Sequence, residues 1–171
     1  MGGSDLMMRK FSIMSARLNY AVVAPGAIKA QYGVHTYLEG CGLPMTLQEL
    51  IFLRVSQING CAYCLDMHSK ALRQAGEGQQ RLDCVAGWRE AHGLFSAREQ
   101  AALAWAEALT LVAETRQVPD AIYEVVKAQF EDRELVDLTL AICSINSWNR
   151  LAVGFAKGPQ PDAESKTAAA A

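Results

Sequence analysis

The chain has 171 residues, of which 51% are apolar and 20% charged, and a formal net charge of −2. This length and composition are typical of one globular domain that buries its own core, and not of a disordered chain. Lysine and arginine are scattered without a basic block, and no apolar run is long enough to cross a bilayer. We therefore expect no nucleic-acid partner and no membrane partner.

The two ends of the chain differ in composition from its middle. The first residues lack an apolar stretch followed by a small-residue cleavage site, so they do not resemble a signal peptide. We expect residues 1–16 to be a flexible segment, within which Met14 is a candidate natural start. Residues 17–157 should form the single folded domain, and residues 158–171, rich in alanine and proline, a flexible tail.

The apolar periodicity of the first half is helical. It predicts a helix from Pro25 to Leu38, a turn rich in glycine, and a second helix from Thr46 to Ile58. The Asn59-Gly60 pair could close a hairpin, but its flanks repeat at helical spacing, so we interpret it as a helix end. A third helix should run from about Cys61 to Ala75.

The second half is also helical in pattern. A short helix is predicted at about 80–90, and Ser96 with Glu99 forms a capping box that starts the next one. Pro119 suits the first turn of a further helix. A long helix should begin near Asp132, and because it is apolar on most sides we expect it to be buried in the core or against another subunit. The predicted fold class is all-α, a bundle of about six to eight helices.

The cysteines indicate the redox setting. Their number is odd and no secretion signal is seen, so we expect reduced thiols and a cytoplasmic location. In that setting a close pair is more often catalytic or metal-binding than structural. The five are Cys41, Cys61, Cys64, Cys84 and Cys143.

One group of residues has the spacing of a reactive thiol site. Cys61 and Cys64 are three residues apart and His68 follows four later, so all three share one helix face. Cys61 lies near the helix start, where the dipole and unpaired amides favour a thiolate. If the two helices that meet at Asn59-Gly60 pack antiparallel, Glu49 can face the same pocket and assist proton transfer. The spacing does not say which cysteine attacks.

The segment from Glu49 through Cys61-Ala-Tyr-Cys64 to His68 resembles the signature of the alkylhydroperoxidase AhpD-like family, within the carboxymuconolactone decarboxylase superfamily. The similarity extends over roughly residues 17–157. It includes the stretches 53–60, 69–73, 95–102 and 145–151.

The resemblance implies an all-helical subunit that assembles into trimers or hexamers and reduces peroxides without a cofactor. It implies that Cys64 attacks the peroxide, that Cys61 resolves the intermediate, and that Glu49 and His68 relay protons. In the better-known members the disulfide is reduced by a lipoyl-bearing protein, and they can serve as reductant to a peroxiredoxin. An external dithiol is therefore the expected partner.

Two features depart from the founding members of that family. Tyr63 stands where they carry a histidine that their mechanism also uses. The cysteine pair lies in the first half of this chain, with two long helices after it, whereas the founding members carry it late. The chain resembles the shorter branch of the family.

Three other functions remain open from the sequence. A metal-binding module could use Cys61, Cys64 and His68 with a fourth ligand, although no second pair of ligands is visible. A non-catalytic redox sensor would form the same disulfide without turnover. A lactone decarboxylase activity occurs in the superfamily, but it does not depend on a cysteine pair. The candidate fourth metal ligands are Cys41, His35, His92 and Glu49.

Several residues have a structural alternative. Thr46 and Glu49 form a capping box in sequence, so Glu49 could simply cap a helix. We expect the three remaining cysteines, Cys41, Cys84 and Cys143, to be buried small hydrophobes. Four aromatic residues could line a substrate channel or belong to the core: Tyr20, Tyr32, Phe52 and Trp148. Three polar residues could cap the last helix or bond across a subunit interface: Asn146, Asn149 and Arg150.

Overall fold

A computed structural model describes residues 16–161, and the segments 1–15 and 162–171, expected to be flexible, lie outside the described residues. Within the described range the chain forms nine α-helices, one short 3-10 helix and no strand, so the all-α prediction is confirmed. The helices are α1 Tyr20–Val23, α2 Pro25–Glu39, α3 Met45–Ile58, α4 Ala62–Gln74, α5 Gln79–Cys84, α6 Ala97–Thr110, α7 Val112–Thr115, α8 Asp120–Lys127 and α9 Asp132–Gly154. None of these helices is long and apolar enough to cross a membrane.

Helix α3 is the centre of the bundle. Its apolar residues point to more than one side, so it packs against α4, α6 and α9 together. Ile51 and Val55 are fully buried in the main core, while Leu50 and Leu53 belong to a second cluster around Leu72 and Trp88. Because α3 is enclosed on several sides, polar side chains on two of its faces can be shielded from water.

The turn between α3 and α4 sets the geometry of the cysteine motif. Asn59 caps the end of α3, and Gly60 adopts a φ of 65°, a left-handed conformation that favours glycine. The chain reverses there, and Cys61 becomes the N-cap residue of α4. The expected helix end at Asn59-Gly60 and the expected place of Cys61 at a helix start are both confirmed.

Several element predictions need correction. Thr46 does not cap α3, because the helix begins at Met45 after Pro44 and has no side-chain cap. Pro119 precedes α8 as its N-cap residue and is not in its first turn. The helix expected at 80–90 ends as the 3-10 turn Val85–Gly87. Two four-residue helices, α1 and α7, raise the number of helices above the expected six to eight, because single turns are too short to show periodicity.

The long helix α9 has one buried and one open side. Leu138 and Ile142 are fully buried, whereas Val136 is 66% exposed. Cys143 is exposed and the two cysteines Cys41 and Cys84 are half-buried, so the expectation of buried cysteines is wrong for Cys143. The reason is geometric: Cys143 lies on the side of α9 that no other described helix of this chain covers.

Candidate active site

Glu49 and His68 meet between α3 and α4. The Nδ1–H of His68 donates a hydrogen bond to Oε2 of Glu49 over 2.7 Å, and both side chains are largely buried. The ring of Phe52, one turn after Glu49, packs on the imidazole with the two ring centroids 5.2 Å apart. The carboxylate fixes which ring nitrogen carries the proton. His68 Nε2 is buried and has no hydrogen-bond partner among the described residues.

Cys61 and Cys64 are free thiols at the start of α4, each only 1% exposed. The hydrogen bond from Cys64 is the main cause that lowers the pKa of Cys61 to about 6, with smaller contributions from the backbone N–H of Cys64 and from Asn149. The same hydrogen bond, together with burial, raises the pKa of Cys64. The pair therefore loses its first proton easily and holds the second one tightly.

A chain of amide side chains, two of them buried, supports the cysteine pair. Asn149, which is fully buried, donates from Nδ2 to the hydroxyl of Ser56 and also lowers the pKa of both thiols. Asn59 donates from its side chain to both Asn146 and Asn149, over 2.9 Å each. Asn146 and Asn149 thus bond within the subunit, and they tie the turn before Cys61 to helix α9.

A cavity of about 370 Å³ opens beside these groups. Cys64, His68 and Glu49 line it, whereas Cys61 does not. This volume is within the range of small-molecule sites. The wall is mainly apolar and aromatic, and it includes all four aromatic residues singled out from the sequence together with Tyr63: Tyr20, Tyr32, Phe52, Tyr63 and Trp148.

Lys157, which sequence reasoning missed, also lines the cavity. Its Nζ lies 4.0 Å from the centroid of the Tyr63 ring and 5.6 Å from that of Tyr20. Burial lowers the pKa of Lys157, but hydrogen bonds with the two tyrosines outweigh it and the pKa is raised overall. A lone lysine far along the chain carries no motif, so no sequence signal pointed to it.

The metal alternative gains no geometric support. Within residues 16–161, no group of three or more His, Cys, Asp or Glu side chains is arranged to hold a metal ion. The carboxylate of Glu49 is already hydrogen-bonded to His68. His35 lies beside Glu39, with 3.5 Å between His35 Nε2 and Glu39 Oε1.

The helical bundle and the cysteine pair beside a buried histidine define an AhpD-like protein. Residues 25–108 match the model of the carboxymuconolactone decarboxylase family, a range that contains Glu49, both cysteines and His68. The chain belongs to this family, and the resemblance predicted from the sequence is confirmed.

Three relatives show which proteins this chain is similar to. The uncharacterized protein YdfG of Bacillus subtilis is 41% identical over 142 residues, which cover 83% of this chain and 95% of YdfG. The crystal structure of ATU0492 from Agrobacterium tumefaciens, a protein of unknown function described as a candidate antioxidant defence protein AhpD, superposes with a TM-score of 0.82 at 41% identity. It covers 86% of this chain, which in turn spans all of ATU0492.

A third relative has a named activity. The alkyl hydroperoxide reductase AhpD of Rhodopseudomonas palustris is 39% identical over 69 residues, which are 40% of this chain and 29% of that protein. This similarity relates the chain to alkylhydroperoxidases over a limited segment.

Proposed function

We propose that this protein is a thiol-dependent hydroperoxide reductase. The observation that carries the proposal is the arrangement at the cavity. Cys64 and His68 both line it, the thiol pair has a readily lost proton, and His68 Nε2 has no partner among the described residues. A substrate oxygen is the natural partner for that nitrogen, because a buried polar atom without a hydrogen bond is costly.

The first step uses the proton that the two thiols share. As the Cys64 sulfur attacks the distal oxygen of the hydroperoxide, the thiolate of Cys61 accepts the Cys64 proton. The O–O bond breaks, and the leaving alkoxide departs as an alcohol with a proton from Nε2 of His68, which received that proton when Cys61 ionised. The Cys64 sulfur is thereby oxidised to a sulfenic acid, and the two electrons that it loses are those that the peroxide gains. Glu49 stabilises the positive charge on His68 before the transfer.

The second step closes the disulfide. Cys61 attacks the sulfur of the Cys64 sulfenic acid, the S–S bond forms, and hydroxide leaves with the Cys61 proton as water. The two cysteines are three residues apart at the start of α4 and are buried in the same core cluster, so closure needs little movement of the chain. An external dithiol then reduces the disulfide by exchange and is itself oxidised.

We propose that the enzyme acts in a reducing, cytoplasmic compartment, where an external dithiol such as that of a lipoyl-bearing protein resets it. We also propose a homotrimer or homohexamer, in which the uncovered side of α9 near Val136 contacts another subunit. The folded unit would be residues 17–157.

The direct test is a turnover assay with cumene hydroperoxide and hydrogen peroxide, using dithiothreitol or dihydrolipoamide as reductant. We expect Cys64→Ser to lose at least about 1000-fold in kcat, as removal of a nucleophile does. Cys84→Ser, which changes a half-buried cysteine outside the cavity, is the matched control and should keep full activity. Full activity in Cys64→Ser would overturn the proposal, and disulfide formation without turnover would favour a redox sensor.

A further inference from the structure

The cavity beside Cys64 contains a positive charge that the reaction itself does not use. Lys157 lines the cavity, and its Nζ contacts the faces of Tyr63 and Tyr20. Among residues 16–161 no carboxylate lies within ion-pair distance of it. The carboxylate that lines the cavity, Glu49, is already bonded to His68. Lys157 therefore supplies a cation for which the described part of the chain supplies no counter-ion.

The backbone turn directly before Lys157 has a strained conformation. Two backbone hydrogen bonds close the C-terminal end of helix α9. The N–H of Ala156 donates to the carbonyl oxygen of Val153 over 3.2 Å, and the N–H of Lys157 donates to the carbonyl oxygen of Ala152 over 2.8 Å. Such an ending places one residue in the left-handed region, usually glycine. Here it is Ala156, with a φ of 54°. Strain of this kind persists where the surrounding structure fixes it, and it is often found at functional sites.

The rest of the cavity suits an apolar body. Phe52, Ile145 and Trp148 contribute to its wall. At about 30 Å³ for each water-sized group, 370 Å³ holds on the order of a dozen non-hydrogen atoms. A molecule of that size with one anionic end would place its apolar part against these side chains and its charge against Lys157.

We propose that Lys157 anchors a carboxylate, and that the substrates of this site are medium-sized aliphatic or aromatic hydroperoxides that carry a carboxylate group. The hydroxyls of Tyr20 and Tyr63, whose rings lie next to the ammonium, can also donate to the same carboxylate. This inference rests on the proposed function for its peroxide part, whereas the anion site itself can be tested without any peroxide.

The binding test compares octanoate with octanamide, two ligands of about ten non-hydrogen atoms that differ in charge. Calorimetric titration of the reduced protein should show octanoate binding about tenfold more tightly, the size of effect expected for one charge-assisted hydrogen bond. Lys157→Met should abolish this preference, and Lys157→Arg should keep most of it. Lys29→Met removes an exposed lysine outside the cavity and should leave both affinities unchanged.

The kinetic test uses cumene hydroperoxide and the same compound with a para-carboxylate. Lys157→Met should raise KM for the acid about tenfold, with little change in kcat and none for the neutral compound. Equal binding of octanoate and octanamide to the native protein, or an equal loss of both in Lys157→Met, would overturn the anion site. Tight octanoate binding without turnover of either peroxide would instead overturn the proposed function and leave the anion site standing.

Discussion

Two largely buried carboxylates, Glu49 on α3 and Glu107 on α6, have different surroundings. Glu107 of α6 faces Arg54 of α3, and its Oε1 accepts from Arg54 Nε and from Trp88 Nε1 over 2.8 Å each. Its second oxygen accepts from Arg89. Burial raises the pKa of Glu107, but these three donors outweigh it and the pKa is lowered overall. Both oxygens of Glu107 therefore have donors within the protein.

Glu49 has a simpler set of contacts. It bonds to His68 alone among the contacts described, and the imidazole keeps its second nitrogen unpartnered beside a cavity. A buried polar cluster that is satisfied internally stabilises a fold, whereas one that is incomplete and borders a cavity is prepared for a ligand. The comparison supports the proposed catalytic role of Glu49 and predicts that Glu107 stabilises the fold.

The largest expected effect is the loss of peroxide-reducing activity when Glu49 is changed. Glu49→Gln should lower kcat/KM for cumene hydroperoxide about 100-fold, because a neutral amide accepts from His68 Nδ1–H but does not stabilise the protonated ring. Steady-state kinetics checks this. Glu39→Gln, which alters an exposed carboxylate beside His35, is the matched control. Unchanged kinetics in Glu49→Gln would remove Glu49 from the mechanism.

At Glu107 the expected effect is on stability. Glu107→Gln should lower the free energy of unfolding by about 3 kcal/mol, because Arg54 is left without its counter-charge in a largely buried position. Urea denaturation measures this, and kcat/KM of the folded fraction should not change. Glu134→Gln, in the half-exposed pair with Arg98, should cost less than about 1 kcal/mol. A loss of activity without a loss of stability in Glu107→Gln would reverse the assignment.

A smaller effect concerns the pH at which the cysteine pair ionises. The pKa of Cys61 is lowered to about 6, so the pair is neutral below that pH and carries one negative charge above it. The rate of peroxide reduction by the reduced protein should therefore rise with pH through a midpoint near 6. Stopped-flow kinetics and thiolate ultraviolet absorbance would follow it. A single midpoint near the ordinary thiol value of about 8.5 would contradict the hydrogen-bonded pair.

The helices of the bundle could be predicted because their apolar periodicity is strong. The motif at Cys61, Cys64 and His68 could be predicted because it depends on spacing along one helix. The role of Glu49 could not be decided from the local sequence, since its spacing from Thr46 also fits a helix capping box. The structure decides against the cap, because α3 begins before Thr46 and the carboxylate turns to His68.

Other features depend on contacts that no local pattern records. Asn149 lies far from the cysteines in sequence, and its contact with them exists only because α9 packs on α3. Lys157 reaches the cavity through the left-handed turn at Ala156, which sequence rules would assign to a glycine. The exposure of Cys143 follows from which side of α9 the other helices cover.

The most direct test of the proposed mechanism is mass spectrometry of the reduced protein after one equivalent of cumene hydroperoxide. The mechanism predicts one equivalent of cumyl alcohol and a disulfide that joins Cys61 to Cys64. In Cys61→Ser it predicts a sulfenic acid on Cys64, trapped by dimedone. Oxidation confined to exposed Cys143, or a sulfenic acid on Cys61 in Cys64→Ser formed at the native rate, would contradict it.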